Sequence, residues 1–304
     1  MKRYGVIDIG TTSTKLHIAE KSENGDWRNI VDRVEITLLG EGLHATGDMQ
    51  PAAIQRTVAA IAGMVDESNR LQVQDLVAVG TMAFRTAANS GQFVRRVAGE
   101  CGLSIRVLSG DEESRLSYLG ATSGIPLADG TLTVFDVGGG STEFIRGRNT
   151  TILEHFSLNV GAMRFTETFA LQDAVSQERL REILDTIAAD LRKLEPFPSP
   201  RTLVGIGGTV TTLASVHRGR ETYDRDAIHG SRIEGAELDR QIELYRSQST
   251  EKRKRIPGLQ PGRAEVILGG ACIVRSIVST LRAEGLTVSD RGLRHGVLVE
   301  SFGP

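Results

Sequence analysis

Two short segments of the chain combine an acidic side chain with glycines and hydroxyls at the same spacing. The first runs from Asp8 to Ser13 and reads Asp-Ile-Gly-Thr-Thr-Ser, and the second runs from Asp136 to Ser141 and reads Asp-Val-Gly-Gly-Gly-Ser. Backbone N–H groups in such turns bind phosphate oxygens, and carboxylates are ligands that Mg²⁺ prefers. The segments therefore predict phosphate binding, with Asp8 and Asp136 holding Mg²⁺ or another divalent cation.

The two segments align without gaps, so the chain contains an internal repeat. Either segment alone is typical of an ordinary glycine-rich hairpin, whereas the repeat favours two phosphate-binding hairpins that face each other across a cleft. Lys15 aligns with Glu143, and its ammonium group can neutralise a phosphate. The predicted phosphate-binding residues of the hairpins are Gly10, Thr11, Thr12, Ser13, Lys15, Gly138, Gly139, Gly140, Ser141 and Thr142.

A third turn of small residues follows the apolar run Thr202–Ile206 and leads into a helical pattern. It contains Gly207, Gly208 and Thr209. Because the first N–H groups of a helix point outward without intrahelical partners, this turn is suited to another phosphate or to a nucleotide.

The hydrophobic pattern predicts the elements that position these turns. The predicted strands are 4–9, 16–19, 30–37, 75–80, 105–108, 131–137, 143–146 and 202–206, and the predicted helices are 51–69, 91–101 and 176–194. Residues 219–235 and 246–263 are polar and are predicted to be loops around the cleft. Their basic run Lys252–Arg255 either lines a polyanion channel or is a solvated loop.

Length and composition limit the class of protein. With 304 residues, of which 39% are hydrophobic, the chain exceeds the size at which one core usually keeps growing. We expect one lobe from 1–124 and a second from 125–304, with a C-terminal helix at about 291–302 that packs back on the first. The net charge of −2 excludes binding to a nucleic acid duplex by general electrostatics.

The sequence also predicts a cytoplasmic protein that does not enter membranes. Met1 to Arg3 lead directly into a strand without an apolar signal region, and no apolar stretch is long enough to span a bilayer. Cys101 and Cys272 are predicted to be buried free thiols. The histidines, His17 and His295 among them, are not at metal-ligand spacing, so they are expected to be core or surface residues.

The repeated Asp-Gly hairpin with a Gly-Gly-Thr turn resembles the superfamily of actin, hexokinase-type sugar kinases and heat-shock chaperone ATPases. This resemblance implies an α/β fold of two ribonuclease-H-like lobes with an interlobe cleft. Six motifs further resemble the exopolyphosphatase/guanosine pentaphosphate phosphohydrolase (Ppx/GppA) family, in its short form without C-terminal helical domains. They lie, in family order, at 109–116, 135–143, 157–164, 207–214, 256–264 and 288–296.

The family resemblance implies hydrolysis of a terminal phosphoanhydride, with release of orthophosphate from inorganic polyphosphate or guanosine pentaphosphate. It implies Glu113 and Glu143 as catalytic glutamates, Glu143 also beside the metal, and Arg85 as a phosphate-facing arginine. A carboxylate that orients water and a metal that neutralises phosphate charge supply what such a cleavage needs. The resemblance further implies a homodimer.

Two alternatives remain at this point. The segment from Gly10 to Lys15 departs from the family's first loop and is closer to that of a sugar kinase, which leaves open a sugar or acid kinase of the same superfamily. The loops are equally compatible with a non-catalytic sensor that binds polyphosphate or a guanosine polyphosphate.

Overall fold

The structure is a computed structural model that describes residues 1–11, 13–23, 27–125, 130–149, 151–219 and 224–303, the side chains of His44 and Asp226 excepted. The chain forms two compact units. Unit 1 comprises residues 1–120 and 293–304, and unit 2 comprises residues 121–292. Within the described ranges, no helix has the length and apolarity that crossing a membrane would need.

The elements from β1 to α5 belong to unit 1, except for the last two residues of α5. They are β1 (Lys2–Ile9), β2 (Ser13–Lys21), β3 (Trp27–Ile36), α1 (Leu43–Thr46), α2 (Pro51–Arg70), β4 (Asp75–Gly80), α3 (Met82–Thr86), α4 (Ser90–Cys101), β5 (Ile105–Val107) and α5 (Gly110–Thr122).

The remaining elements form unit 2, apart from the last helix, α13, which belongs to unit 1. They are β6 (Thr131–Val137), β7 (Thr142–Arg148), β8 (Thr151–Leu158), α6 (Ala162–Phe169), α7 (Gln177–Asp190), β9 (Thr202–Ile206), α8 (Gly207–Arg218), α9 (Arg225–Ile228), β10 (Arg232–Glu234), α10 (Gly235–Arg246), α11 (Thr250–Arg253), α12 (Ile267–Thr280), β11 (Gly285–Val288) and α13 (Leu293–Phe302). Short 3₁₀ turns lie at Arg192–Leu194 and Pro261–Arg263.

The internal repeat extends through both sheets. In the described residues, the strands of unit 1 are ordered β3-β2-β1-β4-β5, and those of unit 2 are ordered β8-β7-β6-β9-β11-β10 when read in the same sense. In each copy an antiparallel three-stranded meander is followed by a strand parallel to its first member. Unit 2 adds β10 at one edge, antiparallel to β11. The predicted α/β fold with two copies of one sheet topology is confirmed.

The sheet of unit 1 is covered on both faces, which explains why β1 is almost continuously apolar. Ile7 and Ile9 pack toward α2 and α4, whereas Val6 packs with residues of α5 and α13. Successive side chains of a strand point to opposite faces, so both sets must be apolar. Pro51 begins α2, as its position in the sequence predicts.

Unit 2 has its own core, built around α12. This helix is buried along nearly its whole length and contains Cys272, whose thiol is fully buried. Cys101 in unit 1 is a free thiol as well, but it is only partly buried. The strand predictions 75–80, 131–137 and 202–206 match β4, β6 and β9 residue for residue.

The polar stretches predicted as loops are partly regular structure, so that prediction is wrong. They contain α9, β10 and α11. Arg253, at the end of α11, is completely buried and donates to the carbonyl oxygens of Tyr245 (2.8 Å), Leu171 (2.7 Å) and Asp173 (3.2 Å). Arg253 therefore neither lines a polyanion channel nor lies in a solvated loop, because its guanidinium is bound to backbone carbonyl groups inside the unit.

Candidate active site

The hairpin between β1 and β2 carries the first acidic turn. The backbone N–H of Gly10 donates to Ser13 O at 2.9 Å, which closes the turn, and the N–H of Gly40 donates to Thr11 O at 2.8 Å. Strand pairing sets Asp8 directly opposite Lys15. Thr12, predicted to bind phosphate, lies outside the described residues.

The hairpin between β6 and β7 repeats this geometry. The N–H of Gly138 donates to Ser141 O, again at 2.9 Å. Strand pairing sets Asp136 directly opposite Glu143, as it sets Asp8 opposite Lys15 in unit 1. The aligned positions of the sequence repeat are therefore the same positions of two hairpins with the same register.

The two hairpins differ in charge. In unit 1, Lys15 Nζ lies 3.6 Å from Asp8 Oδ2, and the Asp8 side chain is only 6% exposed, so this carboxylate has a cation of the protein beside it. In unit 2, the corresponding position holds the exposed carboxylate of Glu143. Two acidic side chains therefore face each other across the second hairpin, where paired residues have Cβ atoms about 5 Å apart.

Glu143 is held in place by two hydroxyl groups. Ser141 Oγ donates to Glu143 Oε1 at 2.6 Å, and Ser157 Oγ on β8 donates to the same oxygen at 3.1 Å. The donor set of Asp136 and Glu143 consists of hard oxygens, which fits Mg²⁺. At Asp8 the ammonium of Lys15 already supplies positive charge, so the donor set of unit 2 is the better match.

The glycines of the second hairpin pack against the beginning of α6. The N–H of Ala162 donates to Gly138 O (2.9 Å), and the N–H of Met163 donates to Gly139 O (2.9 Å). In a trans peptide the N–H points away from the preceding carbonyl, so the N–H groups of Gly139 and Gly140 point away from α6. Two neighbouring amide donors of this kind can donate to an anion.

The third turn lies beside the second hairpin, because β9 pairs with β6 and Ile206 is the partner of Asp136. Gly207 has a left-handed φ of +81°, and its Cα lies so close to the Asp136 carboxylate that a Cβ would overlap it. Thr209 Oγ1 donates to Val137 O at 3.1 Å and fixes the start of α8 to β6. The positive end of α8 therefore begins next to the acidic pair of the hairpin.

Arg263 is a residue of this site to which the sequence assigned no role. Its guanidinium lies against the Cα of Gly208, where any larger side chain would collide with it. Arg263 belongs to the segment 256–264 that carries the family resemblance, and that is the one signal that pointed to it. It brings a positive charge to the turn that begins α8.

In unit 1, Glu113 and Arg85 form an ion pair. Arg85 Nη1 donates to Glu113 Oε2 and to Leu108 O, both at 2.8 Å, and both side chains are 31% exposed. Arg85 is in α3 and Glu113 is in the first turn of α5, where an acidic side chain is favoured by the helix dipole. Two residues that the family resemblance assigned to the site separately therefore lie at hydrogen-bond distance from each other.

Glu112 differs from its neighbour Glu113. It accepts hydrogen bonds from Arg106 Nη2 (2.6 Å) and from the N–H of Ser109 (2.9 Å). The Arg106 guanidinium, together with Ser109, lowers the pKa of the Glu112 carboxyl to about 2. Glu112 thus holds the start of α5 in place, and Glu113 is the acidic residue of this run that contacts Arg85.

Two copies of one sheet topology, each with an acidic hairpin, define a duplicated α/β fold. A solved structure of nucleoside triphosphate hydrolases from Neospora caninum shares this fold, with a TM-score of 0.56 over 99% of this chain and 92% of that chain at 12% identity. At that identity the likeness concerns the fold alone.

The chain belongs to the Ppx/GppA phosphatase family, whose sequence model matches residues 18–303. It is 31% identical to exopolyphosphatase 2 of Mycobacterium tuberculosis over 321 residues, which cover 100% of this chain and 99% of that protein. A solved structure of the Aquifex aeolicus Ppx/GppA phosphatase, type II variant, superimposes with a TM-score of 0.90 at 33% identity and covers 99% of this chain and 100% of that chain.

A bifunctional 3-dehydroquinate synthase/phosphatase of Fusobacterium nucleatum is also 31% identical, over 306 residues. The match covers 97% of this chain but 46% of that protein, so the chain spans about half the length of this relative.

Proposed function

We propose that the protein is a phosphohydrolase that releases orthophosphate from the terminal phosphoanhydride of inorganic polyphosphate, of guanosine pentaphosphate, or of both, with Mg²⁺ as its cofactor. The observation that carries this proposal is the hairpin of unit 2, where the paired carboxylates Asp136 and Glu143 lie beside glycine N–H donors and the start of α8. The relative named exopolyphosphatase 2 supports the choice of polyphosphate.

In this proposal the backbone of unit 2 binds phosphate oxygens. The N–H groups of Gly139 and Gly140 and those at the start of α8 are the donors, and Arg263 adds a cation next to Gly208. Asp136 and Glu143 would hold Mg²⁺, which would neutralise charge on the phosphates. The hydroxyls of Ser141 and Ser157 keep Glu143 oriented for this role.

Glu113 of unit 1 is the residue to which we assign, from the family resemblance, the orientation of the attacking water. The Arg85 guanidinium holds the Glu113 carboxylate at 2.8 Å, and both side chains are accessible to a ligand. An oriented carboxylate can position a water molecule for in-line attack on phosphorus, while an arginine can bind phosphate oxygens. Lys15 supplies a further positive charge, although it is also the partner of Asp8. Metal binding by Asp8 would require Lys15 to move away, and it stays a prediction.

A substrate made only of phosphates matches the donors of these loops. Backbone N–H groups, hydroxyls and cations recognise phosphate oxygens, so inorganic polyphosphate satisfies the proposed site without a base or a sugar. We further propose that the enzyme is a homodimer, as the family resemblance implies, and that it acts in the cytoplasm. Light scattering during size-exclusion chromatography gives the mass of the assembly.

The proposal is tested by measuring orthophosphate release with Mg²⁺ from tripolyphosphate, long polyphosphate, guanosine pentaphosphate and ATP. We expect release from at least one of the first three. Glu113→Gln and Glu143→Gln should lower the rate by at least about 100-fold, because the first removes the carboxylate that orients the water and the second removes a charged ligand of Mg²⁺. Glu154→Gln is the matched control, since Glu154 is an acidic residue of the same sheet as Glu143 and pairs with Arg146.

An unchanged rate of orthophosphate release in both Glu113→Gln and Glu143→Gln would refute the proposed mechanism. Binding of polyphosphate by the unaltered protein without any orthophosphate release would favour the sensor alternative. Formation of a phosphosugar from ATP and a panel of sugars would favour the kinase alternative, for which the segment Gly10 to Lys15 is the specific observation.

A further inference from the structure

Three side chains with metal-binding atoms meet inside unit 1, and none of them belongs to the proposed phosphate loops. His17 is on β2, Asp32 is its direct cross-strand partner on β3, and His295 is on α13. One ligand atom from each lies within 4.8 Å of the others. We propose that this cluster binds a divalent transition-metal ion such as Zn²⁺ or Co²⁺.

The spacing of the first two ligands matches one shared ion. His17 Nδ1 lies 3.5 Å from Asp32 Oδ2. Two donors bound at about 2.0–2.1 Å to a tetrahedral ion lie about 3.4 Å apart. His295 approaches the same point, since its ring centroid is 4.3 Å from that of His17 and the two rings are tilted by 44° rather than stacked. All three donors therefore lie close enough together to share one ion.

Arg294 holds the carboxylate of this cluster in place. Its Nη1 donates to Asp32 Oδ1 at 2.5 Å, so the other oxygen, Oδ2, remains directed toward His17. Partners that orient a ligand from outside the coordination shell are a regular part of metal sites. The positive charge of Arg294 also opposes the ion, so we expect weaker binding than at a structural zinc site with four protein ligands.

The donor set decides which ion fits. Two imidazoles and one carboxylate are suited to zinc, cobalt or nickel, whereas Mg²⁺ requires oxygen ligands. Three protein donors leave a fourth position for a water molecule. The side chains of His17 and Asp32 are 3% and 9% exposed, so the ion would be shielded from bulk water. Bound there, it would connect α13 to the middle of the meander.

The test uses the full chain after treatment with a chelator, with excess Mg²⁺ present throughout to occupy oxygen-only sites. Co²⁺ is titrated while its visible absorption is recorded, and Zn²⁺ is titrated by calorimetry. We expect one equivalent of either ion per chain and a rise in Tm that grows with its concentration. His295→Gln and Asp32→Asn should each weaken binding by about 100-fold, at the upper end of what even indirect metal contacts contribute.

His155→Gln is the matched control, because His155 is an exposed histidine on β8 of unit 2, outside the cluster. Circular dichroism of the metal-free variants shows whether each is folded. If His295→Gln is unfolded, Asp32→Asn still tests the site, because this substitution preserves the size of the side chain. X-ray absorption of Zn²⁺ bound to the unaltered protein should show two imidazole ligands.

Each of three results would overturn the proposal. They are the absence of saturable Zn²⁺ and Co²⁺ binding, an all-oxygen coordination shell, and equal metal affinity in His295→Gln and His155→Gln. These measurements do not involve phosphate release. The metal site and the phosphohydrolase activity can therefore fail independently of each other.

Discussion

Replacing Gly207 by alanine tests whether the third turn positions the acidic pair of unit 2. Gly207 has φ +81°, and a Cβ at this position would overlap Oδ1 of Asp136. Ordinary contact requires about 3.4 Å, so the carboxylate or the turn must move by more than about 1 Å, and a displacement of that size near reacting groups can cost about 100-fold in rate. We therefore expect Gly207→Ala to lower orthophosphate release by about 100-fold and to raise the Mg²⁺ concentration that it requires.

Gly219→Ala is the matched control, because Gly219 ends the same helix with φ +64° and a Cβ added there would meet no atom of the described residues within 4 Å. Both substitutions force alanine into the left-handed region, which costs about 1–2 kcal/mol, or about 2–8 °C in Tm for a unit of this size. Only Gly207→Ala adds the collision with Asp136.

The assays are thermal unfolding and orthophosphate release across a range of Mg²⁺ concentrations, with both variants measured under the same conditions. Gly219→Ala should lose stability and keep its activity. The reasoning is refuted if Gly207→Ala releases orthophosphate at the normal rate with an unchanged Mg²⁺ requirement, because the position of Asp136 would then be irrelevant to the reaction.

Two further substitutions test features of the fold. Arg253→Met leaves three buried carbonyl groups without their guanidinium donor, so we expect the free energy of unfolding, measured with a denaturant, to fall by about 2–4 kcal/mol. The rate of orthophosphate release per folded molecule should not change. A variant as stable as the parent would contradict this role of Arg253. Because hydrogen bonds from Arg106 and Ser109 lower the pKa of Glu112 from 4.5 to about 2, its contribution to stability is complete above pH 4.5 and is lost as the pH falls toward 2. Glu112→Gln should therefore flatten the acid-unfolding curve in this window, and a curve of unchanged steepness would contradict the expectation.

The strands that carry the site were predictable because their signals are local. β4, β6 and β9 are short apolar runs that end in glycine or in a glycine turn, and both faces of each sheet copy need apolar residues. The polar stretch containing α11 was not predictable in this way. Its structure depends on Arg253, whose hydrogen-bond partners Leu171 and Asp173 are about 80 residues away in the sequence.

In the candidate site as well, local contacts were predictable from the sequence and contacts between distant segments were not. The sequence repeat was enough to predict the two hairpins, and the register of Asp136 with Glu143 follows from a turn of fixed length. Arg263 reaches Gly208 from a distant segment, and His295 reaches His17 through the packing of α13. Spacing along the chain holds no information about such contacts, which is why neither was assigned a role from the sequence.

The order in which the chain is synthesised means that unit 1 cannot complete its folding before α13 has been made. Val297 and Leu298 of α13 complete the cluster that covers Val6, and Gly296 fits so closely against the backbone of Leu116 that no side chain could be added. Unit 2 is contiguous, from residue 121 to residue 292, and can fold as soon as it emerges from the ribosome. Unit 1 begins first but cannot be completed until α13 has been made, so the part of its apolar sheet face that α13 covers must remain exposed while all of unit 2 is translated. A chaperone that binds nascent chains should therefore associate with unit 1 for most of synthesis and be released only when the final helix arrives.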